Sequence, residues 1–159
     1  MTESAREREQ RLRQSYTKHA ALAEHYRSEN RIRSLVHYFT SLVEDPRRDP
    51  VAFREVLAAG FRLHYIEPPI DSYDALAAWV AGPLSSVVAS THAISDLVVS
   101  RLSDREYSAT LAMHSEALFP DGSGIESRNT QAWTVVDDVG ERFARIAEIT
   151  IQRIDVRRF

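Results

Sequence analysis

Apolar residues recur at helical spacing through only part of the first forty-five positions. Ile32, Leu35, Val36, Phe39, Leu42 and Val43 fall on one face of a 3.6-residue repeat. The stretch before them is polar nearly all round, with a thin stripe of Leu12, Tyr16 and Ala20, and Glu7/Arg11 and Glu9/Arg13 at i,i+4 spacing. No proline or glycine interrupts residues 1–45, so the pattern predicts one helix over residues 3–44. Pro46 disfavours helix at the residue before it and ends the run. A short helix is expected from Asp49-Pro50 to Ala59, with Asp49 as N-cap. Residues 61–66 then alternate as a strand, with Phe61, Leu63 and Tyr65 on one side. Asp71 or Ser72 caps a third helix, which Gly82-Pro83 closes. Beyond residue 90 the chain reads as strands over 91–102, 106–119, 125–136 and 142–154, joined by short hairpins, of which Pro120-Asp121-Gly122-Ser123-Gly124 is the clearest.

This order predicts an α+β fold. A curved antiparallel sheet of four to five strands must cover one face, and the N-terminal helices are the available cover. Long strands twist and curl, so the expected shape is a cone-like barrel with a pocket at its open end. The expected division is a helical N-terminal arm at 1–30 and the cone domain at 31–159. Alternation leaves Leu97 and Val99 on the outer sheet face, a patch that would suit a homodimer or homotrimer.

Composition narrows the functional classes. There are no cysteines, which excludes disulfides, thiolate catalysis and cysteine zinc sites and fits a reducing compartment. Residues 1–8 contain no apolar signal core and no stretch approaches the ~20 apolar residues of a membrane span. A cytoplasmic protein without membrane contact is expected. Net charge is −3 but uneven: residues 1–33 carry eight basic and five acidic side chains, the remainder twelve and eighteen. An acidic body argues against general nucleic-acid binding. Nineteen of the twenty basic residues are arginine, which fits a GC-rich bacterial genome. Phosphate loops, dinucleotide fingerprints, nucleophile elbows and paired-histidine metal spacings are absent, so neither cofactor nor metal is expected.

The candidate chemistry is carried by Tyr65, His92 and His114. In the simple strand register His92 shares a face with Ile94 and Asp96, and His114 shares one with Thr110, Ala112 and Glu116. If those faces line the cone, two imidazoles and a phenol converge in an apolar cavity. One histidine would remove a proton α to a carbonyl, the other would protonate a leaving hydroxyl, and Tyr65 would polarise the carbonyl. Asp96 or Glu116 would orient a histidine. Phe39, Trp79, Met113 and Trp133 are expected to line the pocket and to favour a small apolar, ring-bearing ligand. Convergence of the two histidines separates this reading from that of a non-catalytic binding or dimerisation module.

Tyr38-Phe39-Thr40-Ser41-Leu42, Phe53-Arg54-Glu55-Val56-Leu57-Ala58, the strand 61–66, Ala75-Leu76-Ala77-Ala78-Trp79 and Trp133-Thr134-Val135-Val136-Asp137 occur in an order that resembles the SnoaL-like group of the nuclear transport factor 2-like, cystatin-like fold. Within it, Leu63-His64-Tyr65, Ser90-Thr91-His92-Ala93-Ile94 and Met113-His114 are similar to the scytalone dehydratase branch. That resemblance implies a cofactor-free dehydratase acting on a hydroxy-carbonyl substrate of polyketide, steroid or aromatic type. It implies a carboxylate just after the first helix, where Glu44 or Asp45 stands and Asp45 is preferred. It also implies a polar residue near the fourth-strand tryptophan, falling at Thr130 with Asn129 one place off. An alternative resemblance, to ketosteroid isomerase, implies Tyr38 as oxyanion donor and Glu67 as base.

Overall fold

The structure, a computed structural model, describes residues 4–138 and 140–159. The start of the predicted helix at residue 3, and Val139 of the turn before the last strand, lie outside the described residues. Helix α1 spans Ala5–Glu44, and Ser4 and Glu7 form a capping box at its start. Its 40 residues make it about 60 Å long. The described side chains through Glu24 are exposed; burial begins at Ser28 and Ile32, where the apolar stripe strengthens. No helix among the described residues is long and apolar enough to cross a membrane.

After α1 comes a 3₁₀ turn, Pro50–Glu55, capped by Asp49 as its sequence predicts. It ends earlier than expected because strand β1 (Leu57–His64) already begins at Leu57. Gly60 does not stop a helix; it sits inside β1 at φ +72, where the pairing slips between Leu57 and Arg62. Helix α2 (Tyr73–Ala81) is capped by Ser72. Four long strands follow: β2 (Ala89–Arg101), β3 (Glu106–Leu118), β4 (Gly124–Val136) and β5 (Arg145–Arg158).

The sheet order is β1-β5-β4-β3-β2. The last four strands form the antiparallel meander read from the sequence, but β1 pairs with β5 in parallel. The sheet is therefore mixed and unclosed, not a wholly antiparallel barrel. Its concave face and the second half of α1 enclose the core, in which Ile32, Leu35, Phe39, Phe53, Leu63, Leu111, Trp133 and Ile149 are buried.

Three bulges in the long strands change which residues face that core. β2 slips against β3 between Ser95 and Val98, with Asp96 at φ +53. One additional residue inverts every side chain beyond it. Leu97 and Val99 consequently pack on the core and Val98 points outward. The outer patch expected from unbroken alternation does not form. The other two lie in β5: one opposite Thr134/Val135 skips Ala147, so that Ile146 and Ile149 both face the core, and one opposite Arg128/Asn129 skips Ile154, which stands outward.

Arginines fix α1 on this frame. The Arg31 guanidinium donates to Asp137 at 2.9 Å and to the Glu141 carbonyl at 2.8 Å. Arg33 donates to the carbonyl of Leu97, at the β2 bulge. Arg48 ties the helix end to the segment before β2 by donating to the carbonyls of Val43 and Val87.

Candidate active site

Between the end of α1, α2 and the concave sheet face lies a cavity of about 310 Å³. Phe39, Tyr65, Trp79, Met113 and Trp133 supply its apolar walls, as their positions in the sequence predict. Tyr65 is held between two rings, stacked on Trp79 at 5.6 Å and on Phe39 at 6.4 Å. Burial pushes its phenol pKa upward, so it is present as a neutral donor.

His92 enters this cavity from β2. Its Nδ1 lies 2.9 Å from Glu44 Oε1, at the last turn of α1. A carboxylate only accepts hydrogen bonds, so Nδ1 carries a proton, and in the neutral ring Nε2 then holds the lone pair. Glu44 reaches His92 because Thr40, Val43 and Glu44 share the helix face over the sheet and Arg48 fixes the turn that follows. Asp45 does not take part. It is the C-cap, and its carboxylate is bound by Arg47 at 2.6 Å, which holds it down at about 2.

His114 lies on the opposite face of the sheet. The inward positions of β3 are Tyr107, Ala109, Leu111, Met113, Ser115 and Ala117, so His114 and Glu116 face outward. His114 Nε2 meets Glu126 Oε1 at 2.7 Å, and Arg157 holds the other Glu126 oxygen at 2.6 Å. The expected convergence of two imidazoles is not present. Asp96 is exposed at the bulge and Thr130 is exposed on the outer face of β4, so neither lines the cavity. Tyr38 stacks on Phe143 at 4.9 Å and Glu67 is exposed; neither reaches the cavity, which removes the ketosteroid isomerase-like pair. Among the described residues one histidine–carboxylate group has metal-ligand spacing, His114, Glu116 and Glu126, and it lies outside the cavity with Arg157 on Glu126.

Along β4 the inward residue is Asn129, not Thr130, and Gln131 follows it. Trp133 Nε1 donates to Gln131 Oε1 at 2.9 Å, and Gln131 Nε2 donates to Asn129 Oδ1 at 3.0 Å. An indole N–H can only donate, which fixes the orientation of Gln131 and, through it, of Asn129. The Asn129 amide N–H₂ is thereby left to donate into the cavity. Two further lining side chains, Ser90 and Ser127, have buried hydroxyl oxygens with no partner. Asn129 and Gln131 were legible from parity with Trp133, since residues two and four apart share a strand face.

The sequence matches no protein-family model and no curated protein. Solved structures do resemble the chain. A hexachlorocyclohexane dehydrochlorinase, LinA type 2, superposes with a TM-score of 0.73 at 9% identity, covering 86% of this chain and 92% of that one. A protein of Novosphingobium aromaticivorans provisionally described as a scytalone dehydratase gives a TM-score of 0.73 at 10% identity, covering 84% and 88%. A nuclear transport factor 2-like superfamily protein of Salmonella enterica gives 0.66 at 9% identity, covering 78% and 89%. The chain has the nuclear transport factor 2-like fold. Identities this low establish the cystatin-like cone alone; chemistry within such a cone is set by the side chains its cavity presents. In this cone they are a histidine held by a glutamate, a neutral tyrosine and an oriented amide donor.

Proposed function

We propose that this protein is a cofactor-free lyase that eliminates water, or a comparable leaving group, β to a carbonyl in a small apolar substrate. The observation that carries this reading is His92, which lines an apolar cavity while its Nδ1 lies 2.9 Å from Glu44. Similarity in fold to a dehydrochlorinase and to a protein described as a dehydratase supports the reaction class.

His92 Nε2 removes the proton α to the carbonyl while Glu44 accepts the Nδ1 hydrogen bond and stabilises the imidazolium. The electron pair forms an enolate, whose oxygen accepts hydrogen bonds from Asn129 and Tyr65. The C–O bond then breaks, the double bond forms, and the imidazolium returns its proton to the departing oxygen as water. With His114 outside the cavity, one group serves as base and then as acid, so proton and leaving group depart from the same face of the substrate.

A screen of β-hydroxy-carbonyl compounds tests this by ultraviolet detection of the conjugated product. Turnover that His92→Gln abolishes supports the reading. Turnover that His92→Gln leaves intact, or no turnover by the parent protein, overturns it. The lack of a second histidine in the cavity favours one other reading, a non-catalytic carrier of small apolar ligands. That reading expects binding without product.

A further inference from the structure

A bulge in β5 lies beside the cavity. Ile149, Ile151 and Arg153 follow one another on the inner face of β5, and unbroken alternation would bring Asp155 in next. The pairing instead skips Ile154, which stands 67% exposed, and brings Val156 to the cavity opposite Ser127. The slip thus keeps an acidic side chain off the wall on which Arg153 stands, itself solvent-exposed, as the partner of Asn129. Bulges beside active sites re-aim side chains in this way.

Arg153 has no hydrogen-bond or ion-pair partner among the described residues, whereas Arg31, Arg33, Arg145 and Arg157 each hold a carboxylate. Among the described residues that line the cavity there is no aspartate or glutamate, and the nearby Glu44 is engaged by His92. The buried, unpartnered Ser127 hydroxyl lies two residues along β4 from Asn129, which pairs with Arg153. A guanidinium, a hydroxyl donor and no competing anion form a carboxylate acceptor.

We infer that Arg153 and Ser127 form an anion subsite at the β4–β5 side of the cavity, and that the ligand is an amphipathic carboxylate whose acid group is remote from the carbon that His92 addresses. Three strand spacings separate β2 from β5, about 14 Å along the sheet. The arginine side chain spans part of this, leaving room for a ring system or a short chain between the two ends. The inference rests on the cavity being the functional site and deepens the lyase reading by naming the substrate class.

Titrating the protein with 2-naphthoate and with the uncharged 2-naphthamide, by calorimetry at pH 7, tests it. The parent should bind the carboxylate about tenfold more tightly than the amide. Arg153→Met, which keeps the apolar stem, should remove that preference and leave amide affinity and the thermal midpoint unchanged. Arg153→Lys should keep part of it, and Arg128→Met, outside the cavity, all of it. Equal affinity for the two probes, no binding of either, or a preference that survives in Arg153→Met overturns the subsite. His92→Gln should retain the preference. A carboxylate site that persists there, in a protein that eliminates nothing, would separate failure of the lyase reading from failure of this one.

Discussion

His92 and His114 are each joined to a glutamate, at 2.9 and 2.7 Å, on opposite faces of one sheet. The inner pair holds the ring by Nδ1 and leaves Nε2 to an apolar cavity. The outer pair holds the ring by Nε2, and Arg157 claims the remaining carboxylate oxygen. The outer glutamate is drawn below its ordinary pKa, first by the His114 hydrogen bond and then by the Arg157 charge. Identical side chains thus leave a ring nitrogen unengaged beside a cavity on one face and make a surface ion cluster on the other. Composition and spacing alone do not make a catalytic pair. On the proposed reading, the free nitrogen and the medium it faces do.

The sharpest way to break this comparison is to remove each imidazole in turn. On a substrate identified by the screen, His92→Gln should lower turnover about a thousandfold, whereas His114→Gln should leave it within about twofold. Steady-state kinetics decides, and an equal loss in both would erase the distinction. Glu44→Gln should cost on the order of a hundredfold, chiefly in kcat, because the amide still bonds Nδ1 but no longer stabilises the imidazolium. Trp133→Phe should cost about 1–3 kcal/mol in denaturant unfolding by orphaning the buried Gln131 oxygen. It should also weaken turnover by freeing Asn129 to turn. The smallest effect is on the outer face. A carboxyl held below its unfolded value adds stability above that value and loses it as pH falls through the folded one. Any excess stability of the parent over Glu126→Gln should therefore be present at neutral pH and vanish below the ordinary carboxylate range. Thermal midpoints across pH 3–7 would show it, and a difference that persists at low pH would rule out the charge as its source.

Much of the fold was legible because its signals are local. The apolar stripe from Ile32 to Val43, the Ser72 and Asp49 caps and the loop at residues 120–124 each act within a few positions. The site was less legible because it depends on strand parity, a single binary choice per strand that a bulge reverses. Assigning both Met113 and His114 to one cavity was inconsistent with that parity. The run Tyr107, Ala109, Leu111, Met113 is more apolar than Ser108, Thr110, Ala112, His114, and this was the signal that sets His114 outside. The same test favours Asn129 over Thr130, two places from Trp133. Leu97 and Val99 could not be placed, since nothing in Ser95-Asp96-Leu97 announces a bulge. The choice between Glu44 and Asp45 turned on the last residue of α1, a boundary that sequence patterns locate only within a few residues. The parallel pairing of β1 with β5 is a long-range choice on which local alternation is silent.

The protein has two tryptophans, and both stand in the cavity wall. One is stacked face to face on Tyr65; the other is hydrogen-bonded through Gln131 to Asn129. The chain therefore carries its own optical reporter. Its entire indole emission comes from residues that line the cavity, where an occupant would alter their surroundings. Occupancy can thus be followed by intrinsic fluorescence in the unlabelled protein, before any substrate is known.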